Sequence, residues 1–173
     1  LIVDDGSKDD TLKIARDYEE KYPTIVKAIH QENKGHGGAV NTGLAHATGL
    51  YFKVVDSDDW LTPDATSSLV RAAEDTGCDL IVADFYRVIG ERVSQKGDID
   101  EDGVMTREEY AAHMMENPAD FYYGVMWNKL YRADIVHAHD DIICAEDMDW
   151  SEDLYFNLSY IRYAEKFYAL STP

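Results

Sequence analysis

Cysteine is scarce in this chain, which has only Cys78 and Cys144. Two thiols make no disulfide framework, and their separation matches no metal-ligand spacing. They read as ordinary buried thiols, a usage that suits a reducing compartment. Long hydrophobic runs are missing as well. None approaches the roughly 18 residues of a membrane span, and no signal peptide is visible. Positive charge is in short supply: 16 Lys and Arg stand against 34 Asp and Glu, a formal net charge of -18. A field of that sign repels polyanions, which makes nucleic acid and bare anionic membrane poor partners. A polyphosphate ligand would need a cation between it and the protein. There is no internal repeat or low-complexity linker. There is no initiator Met either: the chain opens in an apolar run, Leu1-Ile2-Val3, and stops at Thr172-Pro173 just after another, so a fragment is expected.

What is present is the material of one globule. The 173 residues suffice for a single domain, 1–173, with a real core, and are too few for two. A hydrophobic fraction of 45%, with three Trp, twelve Tyr and five Phe, offsets the ordering entropy that keeps polar chains disordered.

Leu1 to Val3 followed by Asp4-Asp5-Gly6-Ser7 reads as a buried strand entering a tight turn. A helix follows over "SKDDTLKIARDYEEKY", capped by Asp9 or Asp10 and ended by Pro23. "TIVKAIHQ" is a short strand. "NKGHGGAVNTGLAHATG" reads as a glycine-rich loop entering a small-residue helix near Ala39 to Ala47. "LYFKVVDSDDW" is again a strand. Pro63 starts a helix that Gly77 closes, and "DLIVADFYRVIG" is a strand that pairs with "ERVSQ". Strand and helix thus alternate through the first ninety or so residues, which predicts an α/β layer with a mostly parallel sheet flanked by helices. From about residue 106 the pattern turns helical, giving a helical C-terminal part.

Ligands of such sheets sit at the carboxyl ends of the strands. Two acid clusters fall there, Asp4-Asp5 and "VVDSDDW", which carries Asp56, Asp58 and Asp59 behind an apolar run. Carboxylates this close repel unless something positive sits among them. On an extended strand Asp56 and Asp58 share a face and Asp59 points away. Such oxygens suit a hard divalent ion that keeps open positions for substrate phosphates. Asp-rich turns also serve simply as helix caps, so the cluster by itself leaves both readings open.

The order of motifs narrows the choice. "IVDDGSKDDT", "NKGHGGAVNTGLAHATG", "VVDSDDWLTPD", "WNKLYR" and "WSEDLYFN" in succession closely resemble the family 2 glycosyltransferases, inverting enzymes of the GT-A fold, which is Rossmann-related. The resemblance spans nearly the whole chain. It implies sugar transfer from a nucleotide-sugar, a UDP-sugar above all, to a glycan or lipid-linked acceptor in polysaccharide biosynthesis, with Mg²⁺ or Mn²⁺ as cofactor. It implies a cytoplasmic location and allows peripheral association with the inner face of the membrane. Asp5 would bind the nucleotide base, with Asp4 supporting the turn. Asp56 would lie near the ribose and the metal, Asp58 would ligate the metal, and Asp153 would be the catalytic base. Asn33, Lys34 and Asn41 would line the nucleotide side, and Trp127, Asn128 and Lys129 the acceptor side. By the same resemblance a first strand and a loop with a nucleotide-stacking aromatic would precede Leu1, and Val40 stands where many relatives have Arg.

Local structure offers competing accounts. Ser151-Glu152-Asp153 also suits a capped helix start, and Trp150, Tyr155 and Phe156 suit a core. "DIDEDGVMTREE", Asp98 to Glu109, fits a calcium-loop pattern, the basis for a non-catalytic calcium-binding module. The preceding residues do not form the required helix, and Thr106 with Glu109 reads better as a capping box. His137, His139, Asp140 and Asp141 match no zinc signature. Gly35-His36-Gly37-Gly38 lacks the P-loop ending and reads as a backbone turn. A nucleotidyltransferase shares the α/β sheet, acids and metal, but wants basic residues where Asp4 and Asp5 stand.

Overall fold

The computed structural model describes residues 1–146, 148 and 151–173, so the core expectation for Trp150 falls outside the described residues. In chain order the elements are β1 (Ile2–Asp5), α1 (Thr11–Lys21), β2 (Ala28–Gln31), α2 (Gly35–His46), β3 (Tyr51–Phe52), α3 (Ala65–Thr76), β4 (Leu80–Ala83), β5 (Phe85–Ile89), β6 (Arg92–Lys96), β7 (Gly103–Thr106), α4 (Arg107–Glu116), α5 (Phe121–Gly124), β8 (Lys129–Arg132), α6 (Ala133–Ala138), α7 (Glu152–Ile161) and β9 (Lys166–Leu170).

The α/β layering holds, but strand directions are mixed rather than mostly parallel. β1 and β2 form a parallel pair, and β4 runs parallel to β9. The β3–β8, β4–β8, β7–β9 and β5–β6 pairings are antiparallel. The central sheet has five strands in the order β3-β8-β4-β9-β7. Two of them, β8 and β9, come from the region expected to be helical. β9 is a short apolar run, which periodicity alone does not tell from buried helix, and β8, Lys129-Leu130-Tyr131-Arg132, is too short and too charged to show a strand pattern. β4 is buried on both faces: Leu80 and Val82 point into one core, Ile81 and Ala83 into the other. α3 covers the second face through Leu69, Ala72 and Ala73. It ends at Gly77 in the left-handed conformation (φ 62°), a position where a side chain would be strained.

The larger core is aromatic. Tyr110 stacks on Phe167 with ring centroids 4.6 Å apart, and Tyr131 meets Tyr160 edge to face at 5.1 Å. Two of their hydroxyls have partners: Tyr131 donates to Asn157 Oδ1 at 2.6 Å, and Tyr160 to the Asp79 carbonyl at 2.7 Å, whereas the buried Tyr110 hydroxyl has none. Phe156 belongs to this core, whereas Tyr155 is exposed. Among the described residues no helix is long and apolar enough to cross a membrane.

Candidate active site

The parallel register of β1 and β2 sets Asp4 beside His30 and Asp5 beside Gln31. Paired residues on neighbouring strands point to the same face, so their side chains meet. Asp4 is buried and its Oδ2 lies 2.6 Å from His30 Nδ1. Asp5 Oδ1 accepts from Gln31 Nε2 at 2.6 Å and from the backbone N–H of Lys34 at 2.9 Å. Asp5 therefore ties the end of β1 to the segment that opens α2. Gly6 makes this approach feasible: its φ is 76°, and a Cβ there would stand 3.0 Å from the Asn33 backbone nitrogen.

Helix α2 starts at Gly35, earlier than the sequence suggests. The stretch Gly35 to Gly38 is its first turn, not a separate loop. Asn33 Oδ1 accepts from the Gly35 N–H at 3.2 Å. Lys34 is exposed. Asn41 is fully engaged inside the fold: its Nδ2 donates to the Cys144 carbonyl at 2.8 Å and its Oδ1 accepts from the Cys144 N–H at 2.9 Å. Both ends of the amide pin the segment before α7, so in this structure Asn41 serves the fold.

The acids after β3 are not on an extended strand. β3 ends at Phe52, and Asp56 to Asp59 form a turn in which the Asp59 N–H donates to the Asp56 carbonyl at 3.1 Å. The turn breaks the alternation expected for Asp56 and Asp58. Asp58 and Asp59 face a cavity of about 340 Å³, together with Lys53, Trp60 and Trp127. Asp56 faces a neighbouring groove of about 560 Å³ between β1 and β3, with His36 and Phe52. Lys53 lines both. Its ammonium donates to the Trp127 carbonyl, and burial pulls its pKa down to about 8 against the opposing charges of Asp56 and Asp59.

Asp153 enters from the first turn of α7. Its Oδ2 accepts from the Met126 N–H at 2.9 Å, while its Oδ1 is buried without a hydrogen-bond partner. Burial raises its pKa; the Met126 N–H and the charge of His36 oppose that rise, and Glu152 and Asp56 add to it. Ser151 does not cap α7 with its side chain; it takes a left-handed backbone (φ 70°) directly before the acids. Strained backbone of this kind clusters at functional sites.

His36 joins the two acid groups. Its Nε2 lies 3.3 Å from Asp56 Oδ1, its Nδ1 lies 3.1 Å from Glu152 Oε1, and Asp153 Oδ1 is 3.9 Å from the same Nδ1. The hydrogen bond to Asp56 raises the imidazole pKa to about 9; desolvation opposes the shift, and the charges of Asp153, Asp56 and Glu152 add to it. Near neutral pH the ring is an imidazolium that donates from both nitrogens. This is the positive group the crowded carboxylates call for. His36, Glu152 and Asp153 each bring a ligand atom within 4.8 Å of the others.

The structure thus brings Asp56 and Asp153 together, with Asp5 attached to the helix that carries His36 and Asp58 two residues beyond Asp56. Sequence reasoning missed His36 and Lys53. The one signal available was a histidine with helix-compatible neighbours in a glycine-rich stretch.

Elsewhere the competing readings resolve into structure. Thr106 and Glu109 form the capping box of α4. In the calcium-like loop Asp98 is bonded to Asn117 and Tyr123, and Asp102 to Ser171, so the acids are dispersed among different partners. Asp141 pairs with Arg162 and His139 stacks on Tyr163. Lys129, expected at the acceptor side, is wholly buried. Asn128 is buried too and donates to the Ala83 and Tyr122 carbonyls, each at 3.1 Å.

The family model for "Glycosyl transferase family 2" matches residues 1–139. The uncharacterized glycosyltransferase EpsJ of Bacillus subtilis is 30% identical over 167 residues, covering 96% of this chain and 48% of EpsJ. The uncharacterized glycosyltransferase YibD of Escherichia coli is 30% identical over 175 residues, covering 96% of this chain and 50% of YibD. The chain therefore spans about half the length of these curated relatives. S. aureus TarS, solved in complex with UDP-GlcNAc, superposes with a TM-score of 0.80 at 22% identity, over 99% of this chain and 46% of that one. Such a likeness establishes a shared fold, here that of the GT-A glycosyltransferases. With the family match running from the β1 acids through β8 and two relatives at 30% identity across nearly its whole length, the chain belongs to glycosyl transferase family 2.

Proposed function

We propose that this domain transfers a sugar, with inversion, from a nucleotide-sugar of the UDP type to a hydroxyl of a glycan or lipid-linked acceptor, as a step of polysaccharide biosynthesis. The observation that carries this reading is Asp153: a largely buried carboxylate with one oxygen fixed by a backbone N–H, the other without a hydrogen bond, and Asp56 joined to it through a single ring. The UDP-GlcNAc complex of TarS, a protein of the same fold, supports a nucleotide-sugar as donor.

In one displacement, the Asp153 carboxylate takes the proton of the acceptor hydroxyl, whose oxygen forms a bond to the anomeric carbon. The bond from that carbon to the diphosphate oxygen breaks, and the nucleoside diphosphate leaves. Burial serves the base directly, because a raised carboxylate pKa makes proton abstraction less uphill. Asp5 and the turn at Lys34 lie on the nucleotide side, with Asp4 holding the strand end.

Residues for a divalent ion fit as well. Asp58 and Asp59 are exposed at the cavity, and burial followed by repulsion from Asp56 and Asp58 raises the pKa of Asp59. That crowding is what a hard cation relieves. Asp58, with Asp56, would hold Mg²⁺ or Mn²⁺, which stabilises charge on the departing diphosphate. Calorimetry with UDP and Mn²⁺ tests the reading: binding that needs the metal is expected, and absence of binding by any nucleoside diphosphate would count decisively against it.

A further inference from the structure

We propose that the cavity of about 340 Å³ beyond Asp58 and Asp59 is a subsite for an uncharged pyranose ring of the acceptor, walled by Trp60 and Trp127 and unfavourable to acidic sugars. The inference rests on the reading of this domain as a sugar transferase and adds which acceptor chemistry the chain selects. The walls come from three stretches of chain. Trp60 stands on the loop after the acid turn, Phe85 and Tyr86 on β5, and Trp127 just before β8. Trp60 is 72% exposed and Tyr86 48%. Rings this large are normally drawn into a core, so two of them left in water around one cavity suit a ligand with an apolar face. Trp127 is fixed in advance: its ring meets Phe85 edge to face with centroids 4.7 Å apart, and its carbonyl accepts from Lys53 Nζ. A wall already in place costs little ordering when a ligand arrives.

A pyranose matches this lining in two ways. Its ring carbons present C–H groups to aromatic faces, and the hydroxyls around its rim both donate and accept. Asp59 and Asp84 supply acceptors at the cavity, and the Lys53 ammonium supplies donors. A lipid tail would set those charged groups against hydrocarbon, which is costly. The volume lies near the lower end for ligand pockets, which suits a single sugar unit. That unit belongs to the acceptor, because none of Asp5, Lys34 and Asp56, the groups of the nucleotide side, lines the cavity.

Charge decides which ring enters. The lining holds three acids, Asp58, Asp59 and Asp84, against Lys53 alone, in a chain of net charge -18. A divalent ion held by Asp56 and Asp58 cancels those two charges and still leaves Asp59 and Asp84 against Lys53. A uronic acid or a phosphorylated sugar therefore enters against the field, and a neutral ring does not.

The test follows the indole N–H signals of Trp60 and Trp127 in the full-length protein, with UDP and Mn²⁺ present, as methyl glycosides of glucose, galactose and N-acetylglucosamine are added. At least one of them should shift both signals with an affinity of about millimolar scale, as befits so small a ligand. Methyl glucuronoside should bind at least about fivefold more weakly at low salt, and Asp84→Asn should narrow that gap to about twofold while the neutral ring binds as before. Trp60→Ala, at an exposed position that the core does not need, should weaken the neutral glycoside about tenfold and leave calorimetric UDP affinity unchanged. No shift with any of the neutral glycosides, or a glucuronoside that binds as tightly as they do, would overturn the inference. So would shifts produced by UDP itself, or exclusion of the glycoside when UDP-glucose or UDP-GlcNAc replaces UDP, because the cavity would then hold part of the donor. In each of those cases UDP still binds and the transferase reading stands. Failure of UDP with Mn²⁺ to bind would instead remove that reading, and the assignment to an acceptor with it.

Discussion

Oδ2 of Asp153 lies 2.9 Å from the backbone nitrogen of Met126, on the segment between α5 and β8. That bond predicts how an isosteric change behaves. In Asp153→Asn the amide oxygen can still accept from Met126, so the start of α7 keeps its position. What disappears is the carboxylate's capacity to take a proton. Single-turnover and steady-state assays should show kcat lower by about 10²- to 10⁴-fold, the usual range for a general base. Affinity for UDP with Mn²⁺ should be unchanged. A variant that loses donor binding along with turnover would place Asp153 on the nucleotide side instead.

Asp58 and Asp153 should separate cleanly in the same assays. Asp58 is exposed on the turn after β3 and faces the cavity that Trp60 and Trp127 line. Asp58→Asn preserves size and removes the charge a hard cation needs. Titration of UDP into this variant is expected to give the same weak isotherm with and without Mn²⁺, while the melting temperature stays near wild type. Metal-enhanced binding equal to wild type would show that another acid holds the ion.

The His36 imidazolium also predicts a pH dependence of stability. Its folded pKa is raised from 6.5 to about 9. A base with a raised folded pKa contributes stability that is fully present below its unfolded value, here about 6.5. The contribution is lost as pH climbs through about 9, where the folded ring gives up its proton. In chelator-treated samples, the melting temperature of wild type minus that of His36→Gln should be positive near pH 6. It should shrink steadily above pH 7 and level off past about 9. The ring is half exposed, so solvent screening keeps the difference to a few degrees at most. A difference that is flat over this range would mean the imidazole is neutral throughout.

What the residues themselves made legible differs by position. Asp5, Asp56 and Asp153 were singled out by the family resemblance of their motifs, since an apolar run ending in acids, or a helix start rich in them, is by itself equally a turn or a cap. Thr106 and Glu109 were accessible because a capping box is a short-range device whose partners lie three residues apart. His36 was not, because its meaning lies 20 residues away in Asp56 and 116 away in Glu152. Asn41 looked like a ligand residue and proved to bind Cys144, 103 residues on, since an amide serves backbone and substrate equally well. The strands β8 and β9 escaped notice for a related reason. Each is held by pairing with β4, which no pattern within the four or five residues of either strand can reveal.

Lys129 completes the support beneath Asp153, and it predicts where stability and turnover part. Its ammonium is fully buried and donates to the carbonyls of Tyr122 and Val125, each at 2.7 Å, and to Asn128 Oδ1 at 2.8 Å. Those carbonyls frame the stretch whose next N–H, that of Met126, holds the Asp153 carboxylate. Lys129→Met fills similar volume and relieves the desolvation that depresses the lysine's pKa. It also removes three hydrogen bonds. The carbonyls keep other donors, Asn128 Nδ2 on Tyr122 and Asn157 Nδ2 on Val125, so mainly the Asn128 oxygen is orphaned. The net cost in chemical denaturation should therefore be about 1–3 kcal/mol, below the 3–5 of a severed buried ion pair. Turnover should suffer more than that figure suggests, because the segment carrying Met126 loses its brace and Asp153 moves with it. Measured at a temperature where the variant is still folded, kcat is expected to drop at least about tenfold with UDP affinity unaltered. Equal proportional losses in both quantities would instead mean that the whole sheet had loosened.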